Sequence, residues 1–205
     1  MERLIDHGVH ERAPEPGIHY VAFTDEAGGS GSDASTLSIV HLDNQRQVIQ
    51  DLIRIWRPPF SPQEVIGQKA ALLKTYGITR VTGDRWAGGI PPDLYRANGI
   101  RFEPSGRVKS DIYIDFLALL NSARIRLLDN EQQIAELLNL ERRVRWGGRE
   151  SIDHPQSNNF HDDAINATAG AAVLASAKRG IVITPDLLAK LSVPKDWRGN
   201  RAAVP

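Results

Sequence analysis

Several aspartates stand where an α/β protein presents chemistry. Asp25 closes the alternating run HYVAFTD and opens the glycine-rich stretch EAGGSGSDAS, while Asp84 closes ITRVTGD beside Gly83. Asp162 and Asp163 follow His161 at the start of DDAINATAGAAVLASAK, an Ala/Gly-rich helical segment. Hard divalent cations such as Mg²⁺ and Mn²⁺ take carboxylate and water oxygens. Two of them about 3.5–4 Å apart can activate a water and stabilise the leaving oxygen of a phosphodiester. That chemistry needs carboxylates converging from separate elements, which Asp25, Asp84 and the Asp162/Asp163 pair would supply. Singly, each has a plainer explanation: an Asp after a strand forms turns, and an Asp pair at a helix start caps the helix and meets its dipole. Only their joint order along the chain favours a metal centre.

Other residues extend this reading. His161 can bind a metal or orient a water, or simply cap the helix, and His154 in SIDHP is similar. Asp33, in the glycine-rich turn, either reaches a metal through water or forms the turn. Lys109 and Arg107 precede the helical run around Tyr113, where they contact a phosphate or are solvated. The segment ERRVRWGGR places Arg142, Arg143, Arg145 and Arg149 around Trp146 and a Gly pair. It suits a hairpin gripping a DNA backbone, since arginine forks match phosphate and indole stacks on a base. The alternative is a solvated basic strand with a packing Trp. Trp56 and Trp86 read as packing residues.

The elements that must position these groups follow from periodicity. His19–Asp25, Thr36–Leu42 and Gln47–Trp56 are strand-like and closely spaced, predicting an antiparallel three-strand meander. Ser61 and Pro62 then open a helix running to about Gly77, with Ser61 as its N-cap. Short strands are expected at Ile78–Asp84, Ile100–Glu103 and Arg124–Leu128, and helices at Pro91–Asn98, Ser110–Ser122, Glu131–Leu138 and Asp162–Lys178. Helices alternating with strands after a meander predict an α/β fold. Its sheet would be mixed, antiparallel first and parallel later, and flanked by helices. Residues 1–17 lack periodicity and read as a linker or extension, 18–180 as the domain and 181–205 as a less regular tail.

Bulk composition narrows the class. At 205 residues, 41% hydrophobic and 24% charged, the chain suits one well-packed globular domain rather than a disordered or fibrous protein. It has no cysteine, which excludes disulfides and thiolate zinc sites. No run approaches a membrane span, and no secretory signal is evident. Lys+Arg and Asp+Glu balance at 25 each, so any polyanion site must be a local patch. No G-x-x-x-x-G-K-[ST] motif occurs, so a P-loop ATPase cradle is absent from this sequence.

Five segments in order, AFTDEAGGSGSDASTLSIVH, VTGDRWAGG, NGIRFEPSGRVKSDIYIDFLALLNSARIRLLD, LLNLERRVRWGGRESIDHP and HDDAINATAGA, resemble the C-terminal nuclease domain of the large terminase subunit of tailed phages and prophages, an RNase H-like group. The resemblance spans about Tyr20 to Ala175. It implies an RNase H-like mixed sheet and an endonuclease that cuts concatemeric double-stranded viral DNA with two divalent ions, Mg²⁺ or Mn²⁺. It further implies an ATPase motor domain, a small terminase subunit and a portal as partners, in the cytoplasm of a bacterial host. By position, Asp25 resembles the first-strand ligand bridging both ions, Asp84 the second-strand ligand, often Glu in relatives, and Asp163 rather than Asp162 the helix ligand. Related resolvase-like enzymes carry an acid one turn further on, where this chain has Asn166. A Holliday-junction resolvase, a transposase core or a catalytically silent DNA-gripping module are the other trades this fold serves.

Overall fold

The computed structural model describes residues 2–84, 92–144, 150–153 and 161–177, with 142–144, 150, 151 and 153 described by their backbone. In chain order the elements are β1 (Ile5–Asp6), β2 (Tyr20–Asp25), β3 (Ser35–Leu42), β4 (Val48–Trp56), α1 (Pro62–Thr75), β5 (Arg80–Gly83), α2 (Pro92–Ala97), β6 (Arg101–Pro104), α3 (Lys109–Asn121), β7 (Ile125–Leu128), α4 (Glu131–Leu138), β8 (Glu141–Val144), β9 (Glu150–Asp153) and α5 (Asp163–Ala177). A 3-10 turn, Glu2–Leu4, precedes β1.

Seven strands form one sheet in the order β1-β7-β4-β3-β2-β5-β6. The meander β2–β3–β4 is antiparallel, and β5, β6 and β7 join it in parallel. The predicted mixed α/β sheet is therefore present, with α5 and α3 on one face and α1 and α2 on the other. Strand alternation sorts the side chains. Val21 and Phe23 face the α3/α5 layer, whereas Tyr20 and Ala22 face α1 and α2. Continued one step further, this alternation puts Asp25 on the α5 side and Thr24 and Glu26 on the α1 side.

Helix α5 packs closely on the sheet because its buried face is rich in Ala and Gly. A Cβ added to Gly170 would meet the Phe23 ring at 2.4 Å, so only glycine fits there. The β2–β3 loop is anchored at Gly29, whose φ is +82° and whose added Cβ would meet the Phe60 carbonyl oxygen at 2.2 Å. Phe60 N–H in turn donates to the Gly29 carbonyl.

Two local readings are revised. Residues 1–17, aperiodic in sequence, contribute β1: Ile5 and Asp6 pair in parallel with Leu127 and Leu128. Asp6 is held there by the Arg126 and Arg12 guanidinium groups. A two-residue strand is too short to show a period, so nothing in the sequence marks it. Ser61 occupies the N-cap position of α1 but makes no side-chain cap bond; Pro62 at the first turn needs no N–H acceptor, and the turn closes through Val65 N–H to the Ser61 carbonyl. The tail from 178 onward, together with Trp86, Trp146 and His154, lies outside the described residues.

Candidate metal centre

Strands β2 and β5 are parallel neighbours, with Thr24 opposite Gly83, so Asp25 and Asp84 emerge side by side at their C-terminal ends. Asp163, the first residue of α5, faces them across the sheet surface. Its carboxylate Oδ2 accepts the Ala34 N–H at 2.7 Å, and its carbonyl accepts the Thr36 hydroxyl at 2.7 Å. Helix α5 is thus pinned to the start of β3, next to the acid-bearing end of β2.

The electrostatics match this convergence. Burial pushes the Asp25 carboxyl up to about 7, and the Asp163 and Asp84 charges add to the rise. A hydrogen bond from Asn166 Nδ2 to Asp25 Oδ2 (2.7 Å) and the Lys109 charge pull the other way. Asp163 is also raised, chiefly by burial, with Asp33 and Asp162 contributing. Crowded carboxylates whose charged forms are disfavoured are what a divalent cation relieves.

Asp162 stands apart from the others. It is buried, and both oxygens are engaged: Lys109 Nζ at 2.7 Å and the Tyr113 hydroxyl at 2.8 Å. Asp162 therefore latches α3 to the start of α5, and its carbonyl closes the first helical turn to Asn166 N–H. Lys109 is committed to this latch rather than projecting freely. Arg107 pairs with Asp115 at 2.5 Å, on the outer side of α3.

Among the described residues, one acid/His group has ligand atoms all within 4.8 Å of one another: Asp33, His161 and Asp163. His161 Nδ1 lies 3.4 Å from Asp33 Oδ1. Asp163 is thus shared between this group and Asp25, while Asp25 and Asp84 are linked to it through their fields rather than within that tight shell. The residues fit a hard cation on a further count. Asn166 Oδ1 is buried without a hydrogen-bond partner, the one such side-chain atom among the described residues. An amide oxygen left bare beside carboxylates is a suitable ligand or water acceptor.

Sequence reasoning passed over Glu136, Glu26 and Lys69. Glu136, on α4, accepts the Ile165 N–H at 2.9 Å and so caps the first turn of α5. Its amphipathic-helix context resembles any solvated Glu. On either side of the arginine-rich segment's centre, β8 and β9 pair antiparallel from Glu141–Asp153 to Val144–Glu150. Arg142 and Arg143 lie on β8, while Arg145 and Arg149 lie outside the described residues.

A mixed sheet with this strand order, flanked by helices, is an RNase H-like fold. Its fold is that of large terminase nuclease domains. Against the large terminase nuclease of thermophilic phage G20c the TM-score is 0.69 at 18% identity, covering 84% of this chain and 94% of that one. Against the nuclease domain of the Thermus phage P74-26 large terminase it is 0.67 at 20% identity, covering 87% and 95%. Against the nuclease domain of the large terminase subunit of bacterial virus Sf6 it is 0.58 at 14% identity, covering 87% and 96%. The G20c nuclease is also known with bound magnesium and with bound cobalt. No family model and no curated protein matches the sequence.

Proposed function

We propose that this chain is a divalent-metal-dependent endonuclease that cuts double-stranded DNA during phage genome packaging. The observation that carries the reading is the convergence of Asp25 and Asp84, from adjacent parallel strands, on Asp163 at the N-terminus of α5. Asp25, Asp84 and Asp163 would hold Mg²⁺ or Mn²⁺, with Asn166 Oδ1 beside Asp25 as a neutral ligand and Asp33 and His161, grouped with Asp163, available to a second ion. Two such ions supply Lewis acidity toward a phosphodiester and lower the pKa of an attacking water. Asp25 must be deprotonated to serve as a ligand. Asn166 orients it by donating to Oδ2, the Asp162–Lys109–Tyr113 latch ties the start of α5 to α3, and the Asp163 bonds to Ala34 and Thr36 hold it to the sheet. His161, beside Asp33 and partly exposed, would take up or deliver a proton near the phosphate.

Substrate binding would come from the β8–β9 hairpin, whose Arg142, Arg143, Arg145 and Arg149 suit phosphate contacts with little sequence preference. An ATPase motor domain, a small terminase subunit and a portal are the partners this role requires, and the host cytoplasm is where it would act. The structural relatives support the reading by being terminase nucleases. Conversion of supercoiled plasmid to nicked and linear forms with Mn²⁺ or Mg²⁺ tests it. Asp25→Ala or Asp84→Ala should lower the rate by at least about a hundredfold, and undiminished cutting by either variant would sink the proposal.

A further inference from the structure

Behind the acids, on the α1 side of the sheet, Lys69 is completely buried and is none of the residues assigned above. Its Nζ donates to Thr24 Oγ1 at 2.7 Å, Ser35 Oγ at 2.7 Å and the Thr36 carbonyl at 3.0 Å, and lies 3.0 Å from Glu26 Oε1. Glu26 is buried too, accepting from Thr24 Oγ1 (2.7 Å), Ser35 Oγ (2.9 Å) and the Tyr95 hydroxyl. The Trp56 ring, 5.4 Å from Nζ, closes the other side of the ammonium.

The gripped residues bracket the metal centre. Thr24 and Glu26 flank Asp25 at the end of β2. Ser35 and Thr36 open β3 directly after Ala34, whose N–H holds Asp163 Oδ2; the Thr36 hydroxyl holds the Asp163 carbonyl. One ammonium from α1 therefore ties together both ends of the loop that carries Asp25 and Asp33, from the face of the sheet opposite α5. Stability alone is a poor reason for such a pair. Two desolvated charges gain little over well-packed apolar side chains of similar volume. What an apolar pair cannot supply is three directional N–H donors, set to Thr24, Ser35 and the Thr36 carbonyl, beside the Glu26 charge.

We propose that Lys69 is a positioning residue. With Glu26 it fixes the spacing between the end of β2 and the start of β3, and hence the placement of Asp25 against Asp163, without touching either acid. The catalytic part of this inference rests on the nuclease reading; the geometric part does not.

The test compares Lys69→Met with the double variant Lys69→Met/Glu26→Leu. The single variant strands a buried carboxylate and should lower the Tm, and the double variant should recover most of that loss. In the double variant, amide exchange at Ala34 should still run at least about tenfold faster than in the parent. Mn²⁺-dependent plasmid cleavage should show kcat down by about tenfold to a hundredfold, with KM little changed. Parent-like Ala34 protection, or cleavage that returns together with the Tm, would overturn the proposal. If the double variant does not fold, Ser35→Ala, which keeps the ion pair and deletes one β3-side acceptor, should give the same direction of change at Ala34. If the parent chain does not cut DNA at all, the nuclease reading fails, and Ala34 exchange alone decides the role of Lys69.

Discussion

Asp25 is pulled in two directions. Burial and two neighbouring acids favour its protonated form, while Asn166 and Lys109 favour the carboxylate, and the balance leaves it titrating at about 7 instead of 3.8. Between those values the folded chain binds more protons than the unfolded one, so without metal its stability should fall as pH rises from about 4 to about 7 and level off above. The loss should be on the order of 2 kcal/mol, less than the full shift implies because the carboxyl is partly exposed. Thermal melts in a chelating buffer at pH 5 and pH 8 would measure it. Asp25→Asn should flatten the profile, and Mn²⁺ should restore stability at pH 8 but not at pH 5, where protons compete for the same oxygens. The positions of Asp25, Asp84 and Asp163 at the ends of elements were readable in the sequence, because local pattern marks where a strand stops or a helix starts. Lys69 was not. In QKAALL it has the spacing of any solvated helical lysine. Its burial is decided by β2 and β3, more than thirty residues away in the chain.

At the level of elements, two contacts decide how near α5 comes to the acids. Gly170 sits against Phe23, and Gly170→Ala should cost about 1–3 kcal/mol by overpacking. It should also lower cleavage more than its Tm loss alone explains, since the helix carrying Asp163 must lift. Denaturant melts with parallel plasmid assays would separate the two effects. The latch from Asp162 to Lys109 and Tyr113 acts from the other side. Asp162→Asn should weaken it by about 1–3 kcal/mol while leaving metal ligation in place, whereas Asp163→Asn should cost little stability and most of the Mn²⁺ affinity. Calorimetric titration of both variants checks the assignment, and equal loss of Mn²⁺ binding would reverse it. The elements themselves were legible: the meander, the alternating helices and strands, and the small-residue helix all fall within a residue or two of their predicted bounds. Strand β1 was not, because its two residues owe their conformation to pairing with Leu127 and Leu128 of β7, distant in the sequence. Nor was the roll of Asp162, whose partner lies 53 residues away on another helix.

For the whole molecule, balanced charge means that affinity for a duplex has to come from one region. Replacing Arg142, Arg143, Arg145 and Arg149 together by Ala should reduce the slope of log K against log salt by up to about 3–4. Mn²⁺ affinity should stay unchanged; fluorescence anisotropy on a short duplex at several salt concentrations reads the slope. Among the described residues the seven-stranded sheet ends at β6 and β1, and both border strands are finished in ways that discourage another strand. On one side β6 alternates Arg101 and Glu103, cross-linked to each other and to Arg80, and ends at Pro104, which has no amide hydrogen to offer. On the other side the short β1 carries Asp6 under two guanidinium groups. Borders finished in this way keep copies of the domain from joining edge to edge, so raising its concentration should not build fibres.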